Sequence, residues 1–493
     1  MISTAVSPDQ RATTVGLETI YENLQQNIRF LPQRLGIIGQ GADAASYDLE
    51  KKQIFSAFEA GTIYGFGSPL HLAARQLLPA NNDGVGAIPV TIFPLAAGTT
   101  AAAGSISVSD DVQTEQQTYI VKINEIRSEI ITLPVDTDQT EAISLIIAGI
   151  NAILEMPVIA TAAAAAVTLT AKWKGESGND LKIELIGIEA GITFAITQPT
   201  GGAANPDVQP ALDMVGLTWE TMFLNCLNIS DETALEKYRL FGEGRWQPIK
   251  PKPCLFFSGN TLTSVNSAVA ISDSRPLDRI NVQLVAPGSN ELPFVIAARQ
   301  LARIVKIANS NPPVDYIGQT ADGIVAGVDE DQWTDTERDF AVKKGSSTIE
   351  VVDNQIQISD VVTFYHPTGD PIPAYSYVVD IIKIMNVTYN IRLIFENTNW
   401  LGHPLIRNQD ATNNPAARRP SAAAGALASL FEQLGLAAIL VDIDFAKKSI
   451  IAGINTQNPR RLDISATYKI SGNVGIISIT QKWGFNFGES VAA

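Results

Sequence analysis

The chain has 493 residues, of which 45% are hydrophobic and 17% are charged, and its formal net charge at pH 7 is −16. This length predicts two to four domains, and the negative charge disfavours binding to nucleic acid or anionic lipid, because no dense run of Lys and Arg offsets it. The first residues lack a signal-peptide pattern, and no apolar run approaches the ~20 residues of a membrane span, so we expect a protein made soluble in the cytoplasm.

The first predicted element is a strand at residues 13–21, with no partner hairpin before it. Its apolar residues alternate onto one face: Val15, Leu17 and Tyr21. A buried strand that starts near Arg34 and runs into a glycine turn comes next, followed by a helix that ends near Pro79 and an apolar strand at 86–95. Strand, helix and strand at this spacing predict a βαβ unit of an α/β layer.

The sequence pattern changes between about residues 104 and 205, where strand-like runs alternate with Gly, Asn and Asp turns. This pattern predicts an inserted β-rich domain. One of these runs alternates strictly, with apolar residues at Val167, Leu169, Ala171 and Trp173. Helical periodicity at 211–228, an apolar strand at 252–259 and a helix at 291–308 then predict that the α/β layer resumes after the insertion.

The last quarter of the chain contains a predicted long helix at 376–397, a shorter helix at 422–434 and two closing strands. The second strand, at 476–487, is long enough to span roughly 40 Å at ~3.3 Å per residue, which exceeds a typical strand within one domain. Its apolar face carries Ile477, Ile479, Trp483, Phe485 and Phe487.

The sequence offers few of the residue patterns that enzymes need. The three histidines, His71, His366 and His403, show no metal-ligand spacing, and a structural role is favoured for each. No GxSxG elbow or GxxxxGK[ST] loop is present, and the glycines at 36–41 read GxxGxG rather than the dinucleotide-binding GxGxxG. The acidic stretch at 329–339 lacks calcium-loop spacing and is expected to be a solvated loop.

We therefore predict no catalytic residue, no cofactor and no metal site. Cys226 and Cys254 are too few for a disulfide framework or a cysteine-rich zinc site, and we expect both to be buried reduced thiols. Basic residues gather in the last quarter, where either a solvated face or electrostatic docking onto a protein partner remains open. They are Arg418, Arg419, Lys447, Lys448, Arg460 and Arg461.

Several segments, in order along nearly the whole chain, resemble the tail sheath proteins of Mu-like contractile phages, a branch of the contractile injection system sheath family. GSSTIEVVDNQIQISDVVTFYH at 345–366 and NPRRLDI at 458–464 carry the most specific parts of the resemblance. Three further matches are the glycine turn, helix and strand at 66–95, the hairpin-like LTAKWKGESGNDLKIEL at 169–185, and GRWQP at 244–248.

The resemblance implies a multidomain α/β and α+β fold. It comprises a central α/β domain that is subtilisin-like but carries no catalytic triad, a β-rich insertion, a C-terminal α+β domain facing an inner tube, and extended N- and C-terminal strand arms that join the sheets of neighbouring subunits. The expected segments are 1–25 (N-terminal linking arm), 26–103 with 206–372 (central domain), 104–205 (inserted domain), 373–475 (C-terminal tube-facing, polymerisation domain) and 476–493 (C-terminal linking arm).

A protein of this kind is expected to be a structural subunit that polymerises helically around an inner tail tube and contracts to drive the tube through the host envelope during genome delivery. Expected partners are further copies in stacked rings, the inner tail tube protein, and baseplate and tail terminator proteins, with no nucleic acid and no direct membrane insertion. The expected location is the virion tail, assembled in the host cytoplasm. Alternatives are a headless tail-like bacteriocin or injection system and, less favoured, a non-contractile tube or capsid protein or an α/β enzyme.

The predicted assembly residues follow from the unpaired terminal strands, because an open strand edge can pair with a neighbour's sheet. They are Val15, Leu17 and Tyr21 in the first arm and Ile477, Ile479, Trp483, Phe485 and Phe487 in the second. For the tube-facing surface we expect the helix at 422–434 and its N-terminal flank to contribute Arg418, Arg419, Leu427 and Phe431.

Overall fold

The computed structural model describes residues 28–81, 84–321, 323–353, 355–369 and 373–485. These residues group into a large unit, Phe30–Leu393 with 470–485, and a small unit, Ile394–Lys469 with residues 28–29. The predicted N-terminal strand with Val15, Leu17 and Tyr21 lies outside the described residues, as does Phe487. In the described ranges, no helix is long and apolar enough to cross a membrane.

The large unit begins with the predicted strand, helical segment and strand. Two serines cap the helices, because Ser56 accepts a hydrogen bond from the Glu59 amide and Ser68 accepts one from the His71 amide. The elements are β1 (Leu35–Gln40), β2 (Lys52–Ile54), α1 (Ala57–Tyr64), α2 (Pro69–Leu77) and β3 (Val90–Leu95).

The predicted β-rich segment follows and forms two antiparallel sheets around one helix. Its strict alternation is visible in the ninth strand of the chain, where every second side chain is buried. The elements are β4 (Ala101–Val108), β5 (Gln117–Ile123), β6 (Ile126–Arg127), β7 (Ile131–Leu133), α3 (Gln139–Asn151), β8 (Val158–Ala163), β9 (Ala166–Lys174), β10 (Ile183–Ile186) and β11 (Phe194–Thr200). One sheet has the order β10-β5-β6 with β7 also on β5, and the other has the order β11-β4-β9-β8.

The chain then returns to α/β structure, but the predicted helix at 211–228 is wrong. Only α4 (Gln209–Asp213) is helical there, and the fully buried run Met222–Asn225 is strand β12. Gly216 adopts a positive φ of 60° after the helix, and a continuous apolar run suits a strand covered on both faces. The elements that follow are α5 (Glu232–Arg245), β13 (Leu255–Asn260), α6 (Val265–Asp273), β14 (Asn281–Val285) and α7 (Pro293–Ser310).

The central sheet has six strands in the order β14-β13-β12-β1-β3-β2, and all pairs are parallel except the one between β2 and β3. Its two faces bury separate hydrophobic clusters. Met222 and Leu224 pack on the side of α2 and α7, whereas Phe223 packs on the side of α4 and α5. The predicted mixed α/β, multidomain architecture is therefore confirmed at this level.

The rest of the large unit consists of a helix, a hairpin and a long helix. They are α8 (Asp335–Lys343), β15 (Thr348–Val352), β16 (Gln355–Asp360) and α9 (Val378–Phe395). Thr334 and Glu337 form a reciprocal capping box at the start of α8. The buried side chains of α9, including Val379, Ile382 and Met385, belong to the main core of the large unit.

The small unit is built around one helix. Its elements are α10 (Pro420–Leu436), β17 (Leu440–Val441), α11 (Ile443–Lys448), β18 (Ile451–Ile454) and β19 (Leu462–Ser465), and β20 (Lys469–Ile470) marks the passage back to the large unit. The predicted helix at 422–434 is thus confirmed within α10. Strands β18 and β19 pair antiparallel, with Ile451 opposite Ser465.

Beyond β20, the described residues 471–485 contain no helix and no strand. The strand predicted at 476–487 is therefore not formed within the described part of this chain. A strand needs a hydrogen-bonded partner, and none of the described strands lies along this segment.

Candidate assembly site

The described C-terminal segment, residues 471–485, exposes an unusual amount of apolar surface. Four of the predicted arm residues are between 72% and 82% exposed: Ile477, Ile479, Trp483 and Phe485. The exposed run starts earlier than predicted, since Val474 is 79% and Ile476 is 93% exposed. A contiguous apolar patch of this kind is typical of a binding surface.

The backbone of the segment takes part in no strand within the described residues. The rings of Trp483 and Phe485 meet edge to face with centroids 5.4 Å apart, so the two residues share one side of the segment. A segment rich in exposed apolar side chains and outside any described strand has the chemistry required for strand addition.

The hairpin of β18 and β19 is a candidate acceptor for such a strand. Within the described residues it is a two-stranded sheet, so each of its strands has an outer edge without a strand partner, and Ile451 is 72% exposed. A compact turn closes the hairpin, because Asn455 Oδ1 accepts hydrogen bonds from the Gln457 and Asn458 amides. A two-stranded hairpin is marginally stable alone, so a third strand would strengthen it.

The predicted tube-facing residues divide into two groups. Leu427 and Phe431 are buried in the small unit, and Phe431 packs on Tyr468 with ring centroids 5.9 Å apart. The structure thus places both in the core rather than on a contact surface. The apolar stripe of α10 covers its own unit, which helical periodicity alone does not distinguish from a docking face.

Arg418 and Arg419 are half-buried and engage their own loop. Arg418 donates to the carbonyls of Asn399 and Pro415 and lies over the Trp400 ring, and Arg419 donates to the Asp410 carbonyl. Their contacts order the stretch that leads into α10. Any tube contact by these two residues stays a prediction.

The basic character of the small unit is nevertheless real. Residues 394–469 contain eight Lys and Arg against six Asp and Glu, a formal charge of +2, whereas the other 27 basic and 45 acidic side chains give −18. Several of the eight are neutralised locally, as in the pairs of Lys447 with Glu432 and Arg461 with Asp463. In the part of the chain that the structure describes, Lys448 and Arg460 form no ion pair, which makes them the most available charges for a partner.

The three histidines have structural contacts, as predicted. His71 is buried and its Nδ1 accepts a hydrogen bond from the Gly67 amide at 3.0 Å. Burial, with the nearby charges of Arg75 and Lys172, lowers the pKa of His71 to about 4. His366 and His403 contact backbone carbonyls through Nδ1. Across the described ranges, no group of three or more His, Cys, Asp or Glu is arranged to hold a metal ion.

The cysteines and the glycine motif are structural too. Cys226 and Cys254 are free and buried, and burial raises the pKa of the Cys254 thiol to about 12. Gly36 and Gly39 lie inside β1 rather than in a phosphate-binding turn. A Cβ at Gly36 would stand 2.4 Å from the Phe223 ring, so close strand packing explains this glycine.

The acidic stretch at 329–339 organises the start of α8. Arg338 pairs with Asp335 and with Glu350, on the neighbouring strand. These groups line an open depression of about 960 Å³ together with Trp333. The carboxylates here cap a helix and neutralise an arginine. The stretch is largely solvated, as predicted, but the loop prediction is wrong for residues 335–339, which belong to α8.

The crevice at the carboxyl ends of the central strands, where open α/β sheets commonly bind ligands, is filled by the inserted β-rich segment. Gln40, at the end of β1, donates to the Lys174 carbonyl at 2.7 Å. Asn228, just after β12, donates to Asp180 at 2.8 Å, and burial raises the pKa of Asp180 to about 6. The KGESGND segment at 174–180 therefore contacts the carboxyl ends of the central strands and joins the central sheet to the β-rich segment.

Sequence reasoning missed two features of this site. The first is the earlier start of the exposed run at Val474. The second is Lys383, which is fully buried on α9 although lysine is normally exposed. Its signal in the sequence was a lone lysine between the buried positions Ile382 and Met385 of an apolar helix.

The fold is a multidomain α/β body whose described C-terminal segment, residues 474–485, exposes apolar side chains. No protein-family model matches the chain. Among curated proteins it is similar to the Mu-like prophage FluMu tail sheath protein of Haemophilus influenzae, with 25% identity over 432 residues that cover 84% of this chain and 85% of the relative. This similarity confirms the resemblance stated from the sequence and, with it, the expectation of a structural protein rather than an enzyme.

The chain is also similar to solved structures, of which two are named as sheath tail proteins and one as a baseplate. The sheath tail protein of Desulfitobacterium hafniense has 11% identity and a TM-score of 0.46, covering 93% of this chain and 100% of that one. The sheath tail protein Lin1278 of Listeria innocua has 10% identity and a TM-score of 0.47, covering 90% and 93%. A chain of the anti-feeding prophage baseplate has 8% identity and a TM-score of 0.48, covering 96% and 100%. With these TM-scores under 0.5, the function below rests on the Haemophilus relative and on this chain's own residues.

Proposed function

We propose that the chain is the sheath subunit of a contractile tail, which polymerises helically around an inner tube. The similarity to a tail sheath protein over 84% of the chain carries the proposal. The exposed apolar segment 474–485 supports it, because such a surface is completed only by another molecule. Head-to-tail contacts that do not close into a ring continue as a helical polymer.

Strand addition by the terminal arms would join the subunits. Ile477, Ile479, Trp483 and Phe485 offer the side chains of one arm, and Val15, Leu17, Tyr21 and Phe487 are assigned to the arms by their sequence pattern. The open edges of the β18–β19 hairpin of a neighbour offer backbone partners. Main-chain ladders of this kind persist while residues beside them rotate, so the arms act as hinges between rigid bodies.

Contraction would then release energy stored in the polymer itself. The extended form is a kinetically trapped arrangement of subunits, and the contracted form has better contacts between them. A signal from the baseplate starts the change, which drives the tube through the host envelope and delivers the genome.

The finer domain assignment belongs to this proposal. It comprises linking arms at 1–25 and 476–493, a subtilisin-like central domain at 26–103 with 206–372, an inserted domain at 104–205 and a tube-facing domain at 373–475. The charge of +2 on residues 394–469 supports a docking role for the last of these, opposite an acidic tube face. Proposed partners are copies of the chain, the inner tail tube protein, and baseplate and terminator proteins, in a virion tail assembled in the host cytoplasm.

Negative-stain microscopy of the purified protein tests this function. Wide hollow tubes are expected on concentration, and co-expression with a tube protein is expected to yield filled tubes. Persistent monomers under both conditions would contradict the sheath proposal. A capsid gene beside this one is expected for a phage, whereas tail genes without a capsid gene would indicate a headless injection particle.

A further inference from the structure

The C-terminal segment leaves the large unit from a specific point of attachment. Lys383, on α9, has no exposed side-chain surface. Its Nζ donates to Asp380 Oδ1 at 3.0 Å, to the Ser471 carbonyl at 2.6 Å and to Asn473 Oδ1 at 2.5 Å. An ammonium has three donors, and all three are used here.

Two of these three bonds are made to the chain segment that precedes the exposed run. Burial of an ammonium costs free energy unless the charge is paired and every donor is bonded. Lys383 therefore needs the oxygens of Ser471 and Asn473, and these two residues are in turn held by Lys383. Bonds from a charged donor are also stronger than neutral ones. The segment is therefore attached where the lysine is buried.

A second contact fixes the same residues from the opposite side. The Asn473 side chain donates through Nδ2 to the Pro313 carbonyl at 2.8 Å, in the loop after α7. Asn473 thus bridges α9 and this loop. Beyond it, Val474 and Ile476 are 79% and 93% exposed, so the change from attached to exposed chain occurs within one residue.

We propose that Lys383 is the positioning residue of the C-terminal arm: with Asp380 it fastens Ser471 and Asn473 to α9, and the arm pivots at residues 474–475. This inference rests on the proposed role of the segment as an inter-subunit arm. Tension on the arm then enters the large unit at α9, rather than running back along the chain into the small unit that ends at Lys469. The attachment also sets the direction in which a free subunit presents the arm, which lowers the entropy lost on assembly.

Spin-label mobility measures the attachment in the full-length protein. Gly472→Cys places a nitroxide between the two held residues, where a side chain meets no atom within 4 Å. Ile479→Cys places one in the exposed run. Cys226 and Cys254 are buried, so the label reaches only the introduced cysteine. We expect the label at 472 to be clearly less mobile than the one at 479, because the backbone on both sides of 472 is held.

Removal of the attachment gives the decisive comparison. Asn473→Ala, at an exposed position where water can replace the lost bonds, is expected to make the label at 472 nearly as mobile as that at 479, and Lys383→Met is expected to do the same. Asn473→Asp keeps the acceptor for Lys383 and is expected to restore restriction. Lys306→Met, the same change at an exposed lysine of α7 outside the arm, is the control. An equally restricted label in Asn473→Ala would overturn the proposal.

The critical concentration for tube formation measures the functional effect of the attachment. Asn473→Ala is expected to raise the critical concentration for tube formation about tenfold or more, because it loses the charged hydrogen bond from Lys383 and the neutral one to the Pro313 carbonyl, while the Lys306→Met value stays unchanged. Unaltered assembly of Asn473→Ala despite a freed label would overturn the positioning role. If the unsubstituted protein forms no tubes, the sheath function fails, and the label at 472 still decides whether the attachment exists.

Discussion

Two apolar regions of the C-terminal quarter differ in what covers them. The apolar face of α10, including Leu427 and Phe431, is buried by the rest of the small unit. The apolar residues of 474–485 are exposed, although they are of similar size and number. The first region is completed by the fold of its own chain, whereas the second needs a partner molecule.

This difference separates stability from assembly. Substitutions in the covered region are expected to weaken the folded subunit, because they remove buried contacts. Substitutions in the exposed segment are expected to leave the subunit folded and to change only what it forms with other copies, because they remove surface that the isolated chain does not bury.

The largest expected effect comes from removal of the chain after Gly475. The truncated protein loses at least four large apolar side chains, each worth about 2 kcal/mol when buried, so tube formation should be abolished at concentrations 100-fold above the normal threshold. Sedimentation velocity and electron microscopy check the polymer, and thermal unfolding of the monomer should be unchanged. Normal tubes from the truncated chain would contradict a role of the C-terminal arm in joining the subunits.

Phe431→Ala is expected to have the opposite effect, which is a loss of subunit stability. The residue is fully buried, and removal of a buried phenyl ring typically costs about 3–5 kcal/mol. Chemical denaturation should show this loss in the transition of the small unit. Phe485→Ala is the matched control, since its ring is 72% exposed and its unfolding free energy should change by less than about 0.5 kcal/mol.

Acidification is expected to lower the unfolding free energy of the large unit through protonation of His71. Its pKa is lowered to about 4 in the fold, against about 6.5 when unfolded, so below pH 6.5 only the unfolded state gains the proton. The unfolding free energy should fall between pH 6.5 and 4 by up to about 3 kcal/mol from this group. His71→Gln should flatten that part of the stability profile; an unchanged profile would contradict the assignment.

The smallest effect on stability is expected at the free charges of the small unit. Lys448→Glu with Arg460→Glu should change the unfolding free energy by less than about 0.5 kcal/mol, because neither residue forms an ion pair in the described structure. Binding to the inner tube protein should weaken and lose its salt dependence. The pair Lys447→Glu with Arg461→Glu controls for net charge, and equal binding by both doubles would exclude a specific docking role.

The sequence predicted secondary structure correctly where the apolar residues followed either the strand period or the helix period clearly. Strand β9 followed from its strict alternation and α7 from its continuous apolar stripe ending before two prolines. Strand β12 was missed because a short apolar run fits a helix and a doubly covered strand equally well. The exposed apolar residues at 477–485 were selected by their alternating sequence pattern, and their role in an arm stays a prediction.

The rest depended on contacts between segments far apart in sequence. The burial of Leu427 and Phe431 follows from the packing of α10 on Tyr468 and its neighbours, and the filling of the central crevice follows from a bond between Asn228 and Asp180. The attachment by Lys383 joins residues 88 and 90 positions apart. Local pattern carries no information on such pairings.

Cross-linking within mixed tubes tests most directly whether the exposed segment is covered by another copy of the chain. A photoreactive phenylalanine analogue replaces Trp483 in subunits labelled with ¹⁵N, which are assembled with unlabelled subunits and irradiated. The account predicts cross-linked peptides in which a labelled C-terminal peptide is joined to an unlabelled partner peptide. Cross-links confined to peptides of one isotope, in tubes shown to be mixed, would mean that the segment folds back on its own subunit and would contradict the account.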